Sequence, residues 1–138
     1  MKLFVDTNVL FDLFEAERPN HKASLLLFAR CTAGRVSISI APVSVMTLLY
    51  SLRKYGLRMD MVVSRLNALL PHLDIAHIGL PELLAGINSG WRDLEDAIQF
   101  QAALNAGDVD AIVSNDRDFK QQDMIPVFTP VQALKQVK

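Results

Sequence analysis

The sequence predicts an α/β domain around a mostly parallel sheet, and three observations carry that prediction. Two apolar runs, Leu3-Phe4-Val5 and Ala111-Ile112-Val113, each end abruptly in polar turn-formers. A run that is apolar at every position is buried on both faces, as the central strands of parallel sheets are. Between them lie stretches with apolar residues at helical spacing, and strands alternating with helices build this class of fold.

The elements follow in order. Lys2 to Val5 is the first strand, running into Asp6-Thr7-Asn8, and Val9 to Glu15 repeats apolar residues at helical spacing. Glu15 to Asn20 is a polar turn, with Asn20 as the cap of a helix over His21 to Ala33 that Gly34 closes. Val36 to Ile40 alternates at period two and is β-branched, which predicts a strand. Pro42 opens a helix through Lys54, stopped by Gly56, and Met59 to Leu70 is a further helix ended by Pro71. Leu73 to Ile78 predicts a third strand, Pro81 to Asn88 a short helix, and Ser89 to Arg92 a break. Leu94 to Asn105 is a helix with Asp93 as its cap and Gly107 as its end. Asp110 to Ser114 and Ile125 to Phe128 are the last strands, and Pro130 opens a terminal helix. With no internal repeat or linker, the 138 residues predict a single domain spanning 1–138.

Composition narrows the function. Half of the residues are hydrophobic, which excludes a disordered chain. A net charge of −1 argues against a protein that coats nucleic acid by charge alone. Cys31 stands alone in an apolar helical stretch, so it forms no internal disulfide and reads as buried filler. The apolar runs are too short for a membrane span and no signal-like segment opens the chain, so the expectation is a cytoplasmic protein. His21, His72 and His77 lack zinc-like spacing.

The acidic residues carry the chemistry. Asp6 and Asp116 each follow an apolar strand, on the edge of a parallel sheet where ligands bind. Asp96 is on the helix leading into the second of those strands, and Asp93 lies one turn earlier on the same face. Each has another reading: Asp6 as a helix cap, Asp93 and Asp96 as first-turn charges, Asp116 in an Asx-turn, Asp108 and Asp118 as solvated surface. Taken together, converging carboxylates without basic partners repel one another, and a hard divalent cation such as Mg²⁺ or Mn²⁺ relieves this. The implied chemistry is metal-assisted phosphodiester hydrolysis.

These residues resemble the PIN-domain family, metal-dependent ribonucleases that include the VapC toxins of toxin–antitoxin pairs. The resemblance rests on Val5-Asp6-Thr7-Asn8-Val9-Leu10, Asp93-Leu94-Glu95-Asp96-Ala97 and Ile112-Val113-Ser114-Asn115-Asp116-Arg117-Asp118-Phe119, in this order. It implies a three-layer α/β/α sandwich around a roughly five-stranded sheet, with about four acidic residues in the site. By position, Asp6, Asp96 and Asp116 match three of them; Asn8 and Ser114 match supporting polar positions, and Asp110 an acidic position of some members. The family usually has a glutamate in the helix after the second strand, where this chain has Thr47, and no carboxylate occurs between Glu17 and Asp60. Either Thr47 supplies a hydroxyl, or Asp93 fills the gap, or the site is weakened. The resemblance further implies an RNA substrate, a homodimer and an antitoxin partner.

Arg53, Lys54 and Arg117 are candidates for contact with an RNA backbone, and Trp91 for stacking on a base or capping the core. Apolar excess in Ala23 to Phe28 and Met46 to Leu52 suits a self-association or antitoxin surface, or helices packed on two sides. Three functions compete: a metal-dependent ribonuclease, a PIN-like module that binds RNA or protein without cutting, and a phosphatase of the haloacid dehalogenase type. The last needs a second aspartate where this chain has Asn8.

Overall fold

In the computed structural model, which describes residues 1–138, the pleat of the first strand decides the layers. On β1 (Lys2–Val5), Leu3 and Val5 face one side of the sheet and Phe4 the other, and all three are fully buried. β2 (Ser37–Ile40) and β4 (Ala111–Val113) flank β1 on either side, each in parallel register. β3 (Asp74–Ile75) adds to β2 and β5 (Val127–Phe128) to β4, again parallel, giving the order β3-β2-β1-β4-β5.

Helices cover both faces, which makes the three-layer α/β/α arrangement. Leu3, Val5, Ile38, Ile40, Ala111 and Val113 bury one face under α1 (Thr7–Phe14), α2 (His21–Thr32), α3 (Pro42–Lys54), α4 (Met59–Leu69) and α7 (Pro130–Gln136). Phe4 and Ile112 bury the other face with Phe100, Ala102 and Ala103 of α6 (Leu94–Ala106) and with Phe119. α5 (Leu80–Ile87) lies outside α6, and the contact needs a glycine: a Cβ on Gly86 would come within 2.9 Å of the Ile98 backbone. Trp91 stacks on Phe100 at 5.2 Å and meets Phe119 edge-on, so it caps this second core.

The strand order also locates the site. Successive strands run outward from β1 through β2 to β3, and the chain then returns to place β4 on the other side of β1. This reversal opens a crevice at the carboxyl ends of β1 and β4, where open α/β sheets bind their ligands.

Most predicted elements stand within two residues of their limits, and four expectations need correction. The third strand is two residues long instead of six, because it is an edge strand with β2 as its single neighbour and a 3₁₀ turn over Leu70–His72 delays its entry. The last strand is likewise reduced to Val127–Phe128. Asn20 precedes α2 without capping it; its amide instead donates to the Asn115 side chain at 2.7 Å. α1 begins at Thr7, two residues early, since Asp6 accepts the Thr7 N–H as its cap. No helix is long and apolar enough to cross a membrane.

Candidate metal centre

Asp6 leaves β1 at its carboxyl end and turns the chain into α1. Its Oδ1 accepts from the Thr7 backbone N–H at 2.7 Å, and its Oδ2 accepts from the Asn8 amide at 2.7 Å and the Ser114 hydroxyl at 2.8 Å. Ser114, one residue beyond β4, also accepts the Asp116 N–H at 2.9 Å, and Asn8 accepts the N–H of Asn115. These bonds knit the ends of β1 and β4 into one rim. Asp116 in turn accepts the Asp118 N–H, the Asx-turn expected of its position.

The opposite wall comes from the first turn of α6. Asp93 caps the helix by accepting the Asp96 N–H at 3.1 Å, and Asp96 points inward with 7 % of its surface exposed. Asp96 Oδ2 is buried and makes no hydrogen bond. Glu95, beside it, accepts from the Thr7 hydroxyl at 3.3 Å and from the Gln99 amide at 3.5 Å. The Thr7 hydroxyl shares a further bond of 2.7 Å with Ser44 in the first turn of α3.

Asp6, Asn8, Asp93, Glu95, Asp96 and Asp116 line one open cleft of about 610 Å³. Phe11, Glu15, Arg18, Ser51 and Tyr55 line the same cleft. Asp6, Asp93, Glu95, Asp96 and Asp116 form no ion pair; Arg18 is held by Asp12 and Glu15 instead. Burial pushes Asp96 up to about 8, and Asp6, Asp93, Asp116 and Asp118 each add to the rise by repulsion. Burial lifts Asp6 to about 6 against the lowering effect of its hydrogen bonds to Ser114 and Thr7. Glu95 is raised too, by burial first and by Asp93 as well, with Thr7 opposing.

This donor set fits a hard divalent cation. A buried carboxylate oxygen without a partner is costly unless something positive meets it, and here four neighbouring carboxylates oppose ionisation. Oxygens of Asp93, Asp96 and Asp118 also lie within 4.8 Å of one another, close enough to share an ion.

A family model described as "PIN domain" matches residues 2–118. The chain belongs to the PIN domain family. Among proteins of known role it is similar to "Ribonuclease VapC1" of Aquifex aeolicus (strain VF5), 29% identical over 128 residues, covering 89% of this chain and 87% of that one. Its fold is similar to VapBC2 from Rickettsia felis bound to a promoter DNA fragment, with TM-score 0.66 at 17% identity, covering 94% and 98% of the two chains. It is also similar to FitAcB from Neisseria gonorrhoeae, with TM-score 0.67 at 16% identity, covering 93% and 97%. A third, VapC20 of Mycobacterium tuberculosis, described as a sarcin-ricin-loop-cleaving toxin, has TM-score 0.66 at 17% identity over 86% and 93%. PIN membership leaves the phosphatase reading without support.

Against this PIN frame, the candidate residues divide. Asp6, Asn8, Asp93, Asp96 and Asp116 share the cleft, with Ser114 behind Asp6. The Thr47 side chain makes no hydrogen bond and does not line the cleft; its helix contributes Ser51 there, and Tyr55, just beyond the helix, lines it too. Asp110 is misplaced by expectation: it immediately precedes β4, and its carboxylate accepts the Lys2 N–H at the amino end of the sheet, outside the cleft lining. Arg53, Lys54 and Arg117 are exposed and outside the cleft lining. Sequence reasoning did not single out Glu95, which lines the cleft; Asp118, expected on the surface, is exposed, with an oxygen close to those of Asp93 and Asp96. The signal for Glu95 was a polar pair at helical spacing, Glu95 and Gln99, on the helix that also buries Asp96.

Proposed function

We propose that this chain is a divalent-metal-dependent ribonuclease and the toxin of a toxin–antitoxin pair. The observation that carries the reading is the buried, unpartnered Asp96 Oδ2 among carboxylates that no basic side chain neutralises. Asp6, Asp96 and Asp116, with Asp93 at the rim, would hold Mg²⁺ or Mn²⁺. A bound divalent cation supplies a lowered pKa for the attacking water and stabilises charge building on the phosphate.

The chain's own residues do the positioning. Asn8 and Ser114 lock one oxygen of Asp6 and the Thr7 N–H locks the other, so Asp6 is presented as a fixed anion. Arg18, restrained by Asp12, Glu15 and the Asn8 carbonyl, lines the cleft and would offer its guanidinium N–H groups to a flanking phosphate. Tyr55, 71 % exposed, offers a ring face to an unstacked base, while the Phe11 ring carries Arg18 over it. An apolar groove formed by Leu13, Phe14, Leu25, Phe28 and Leu69 suits a helix of a protein partner, in keeping with an antitoxin. Exposed Leu80, Leu83, Leu84 and Ile87 on α5 suit a homodimer.

The test is cleavage of a structured RNA with Mg²⁺ or Mn²⁺, beside Asp6→Asn and a chelator control. Metal-dependent cutting that falls at least about a hundredfold in Asp6→Asn is expected. The absence of a carboxylate at Thr47 favours a second reading, a module that binds RNA without cutting. Retained RNA binding with no cleavage at any metal concentration would establish it.

A further inference from the structure

We infer that Glu95 supplies from α6 the carboxylate that α3 lacks at Thr47, and that Thr7 holds it there for a divalent cation. The inference rests on the reading that the cleft holds such a cation. α3 brings hydroxyls to this side of the sheet: Ser44 is bonded to Thr7 and Ser51 lines the cleft, but the helix carries no acid. Glu95 lines the same cleft from the other wall.

Its two hydrogen bonds, from Thr7 at 3.3 Å and Gln99 at 3.5 Å, both fall on Oε1. Oε2 is thereby left for a ligand, and no lysine or arginine competes for it. Through Thr7, whose hydroxyl meets Ser44 at 2.7 Å, the Glu95 carboxylate is tied to the junction of α1 and α3. That junction is where an acid on α3 would act. A chain with threonine at 47 keeps its fourth carboxylate by projecting it across the cleft. The independent pointer to a cation is the neighbouring Asp96 Oδ2, buried and unpaired.

A competing arrangement is visible in the same region. Asp93, Asp96 and Asp118 can bring oxygens within 4.8 Å, and a cation there would depend on Asp118 and ignore Glu95. The two are separated by calorimetric titration with Mn²⁺ alone, in the absence of RNA. The variants are Glu95→Gln, Asp118→Asn and the double variant Glu95→Gln/Thr47→Glu, each checked by circular dichroism, with Glu95→Asp in reserve should the glutamine variant fail to fold.

Glu95→Gln is expected to weaken Mn²⁺ binding at least about tenfold, Asp118→Asn by much less, and Thr47→Glu to restore most of the loss. Restoration is the decisive part, since a merely structural role for Glu95 would not be mended from another helix. Wild-type affinity in Glu95→Gln, or a loss confined to Asp118→Asn, overturns the inference alone. A wild-type chain that takes up no Mn²⁺ overturns it together with the reading beneath it.

Discussion

Asp12 on α1 and Asp96 on α6 are both aspartates sunk into the protein, 1 % and 7 % exposed, and the chain treats them in opposite ways. Asp12 is fully answered. Arg18 donates to it at 2.7 Å, Ser24 at 2.9 Å and Asn115 at 3.0 Å, so a buried charge is both neutralised and hydrogen-bonded. Asp96 has a buried oxygen with no donor and four acids around it. The one is a structural anion that ties α1, α2 and the loop after β4 together. The other costs the fold stability, and such a cost is tolerated where an outside cation is to be received.

The contrast can be broken at either end. The largest effect is expected at Asp12→Ala, which takes from Arg18 its closer carboxylate, with Glu15 remaining at 3.5 Å, and leaves the Ser24 and Asn115 donors unpaired. It should lower unfolding free energy in urea by about 3–5 kcal/mol. A loss under about 1 kcal/mol would mean that Asp12 and Asp96 are not opposites.

At Asp96 the sign reverses. Both Asp96, at about 8, and Asp6, at about 6, lie above their ordinary value of 3.8 when folded. The folded chain therefore binds these protons more tightly than the unfolded chain. Their contribution favours folding at low pH and is lost as pH rises from about 4 to about 8. Without divalent metal, the melting temperature should fall over this window. Asp96→Asn should flatten the upper half and melt on the order of 5 °C higher than wild type near pH 8. Added Mn²⁺ should stabilise the wild type more at pH 8 than at pH 5, because protons and cation compete for the same oxygens. Equal stabilisation at both pH values would remove the link between the unpaired carboxylate and metal.

The smallest effect sharpens the Asp12 side. Ser24→Ala removes one of three donors and leaves the ion pair, so thermal or urea unfolding should register a cost of about 1 kcal/mol.

Which parts of this were legible in the sequence follows from what patterning can encode. Asp6, Asp96 and Asp116 sit at ends of elements that periodicity identifies, and the edge of a parallel sheet fixes their common side. Asp110 was readable too, as the amino end of a strand whose carboxyl end bears the site, and family position outweighed that geometry. Glu95 was hidden because a first-turn glutamate is ordinary on any helix. Arg18 and Tyr55 reach the cleft through the crossing of α1, its following turn and α3, which no local spacing reports. The shortness of β3 and β5 likewise depends on each having one neighbour, a property of the sheet and not of the strand.

The 108 residues separating Asp6 from Ser114 bear on how the protein is made. A ribosome delivers β1 first, yet the strand that completes its crevice is among the last to emerge. Closing so long a loop is slow, and it precedes the contacts that reward it. Until residue 116 is free of the ribosome, the growing polypeptide holds Asp6 without Ser114 or Asp116 beside it. On the proposed activity, the nascent chain is thus inert towards the messenger that encodes it. A product truncated before β4 would be inert for the same reason.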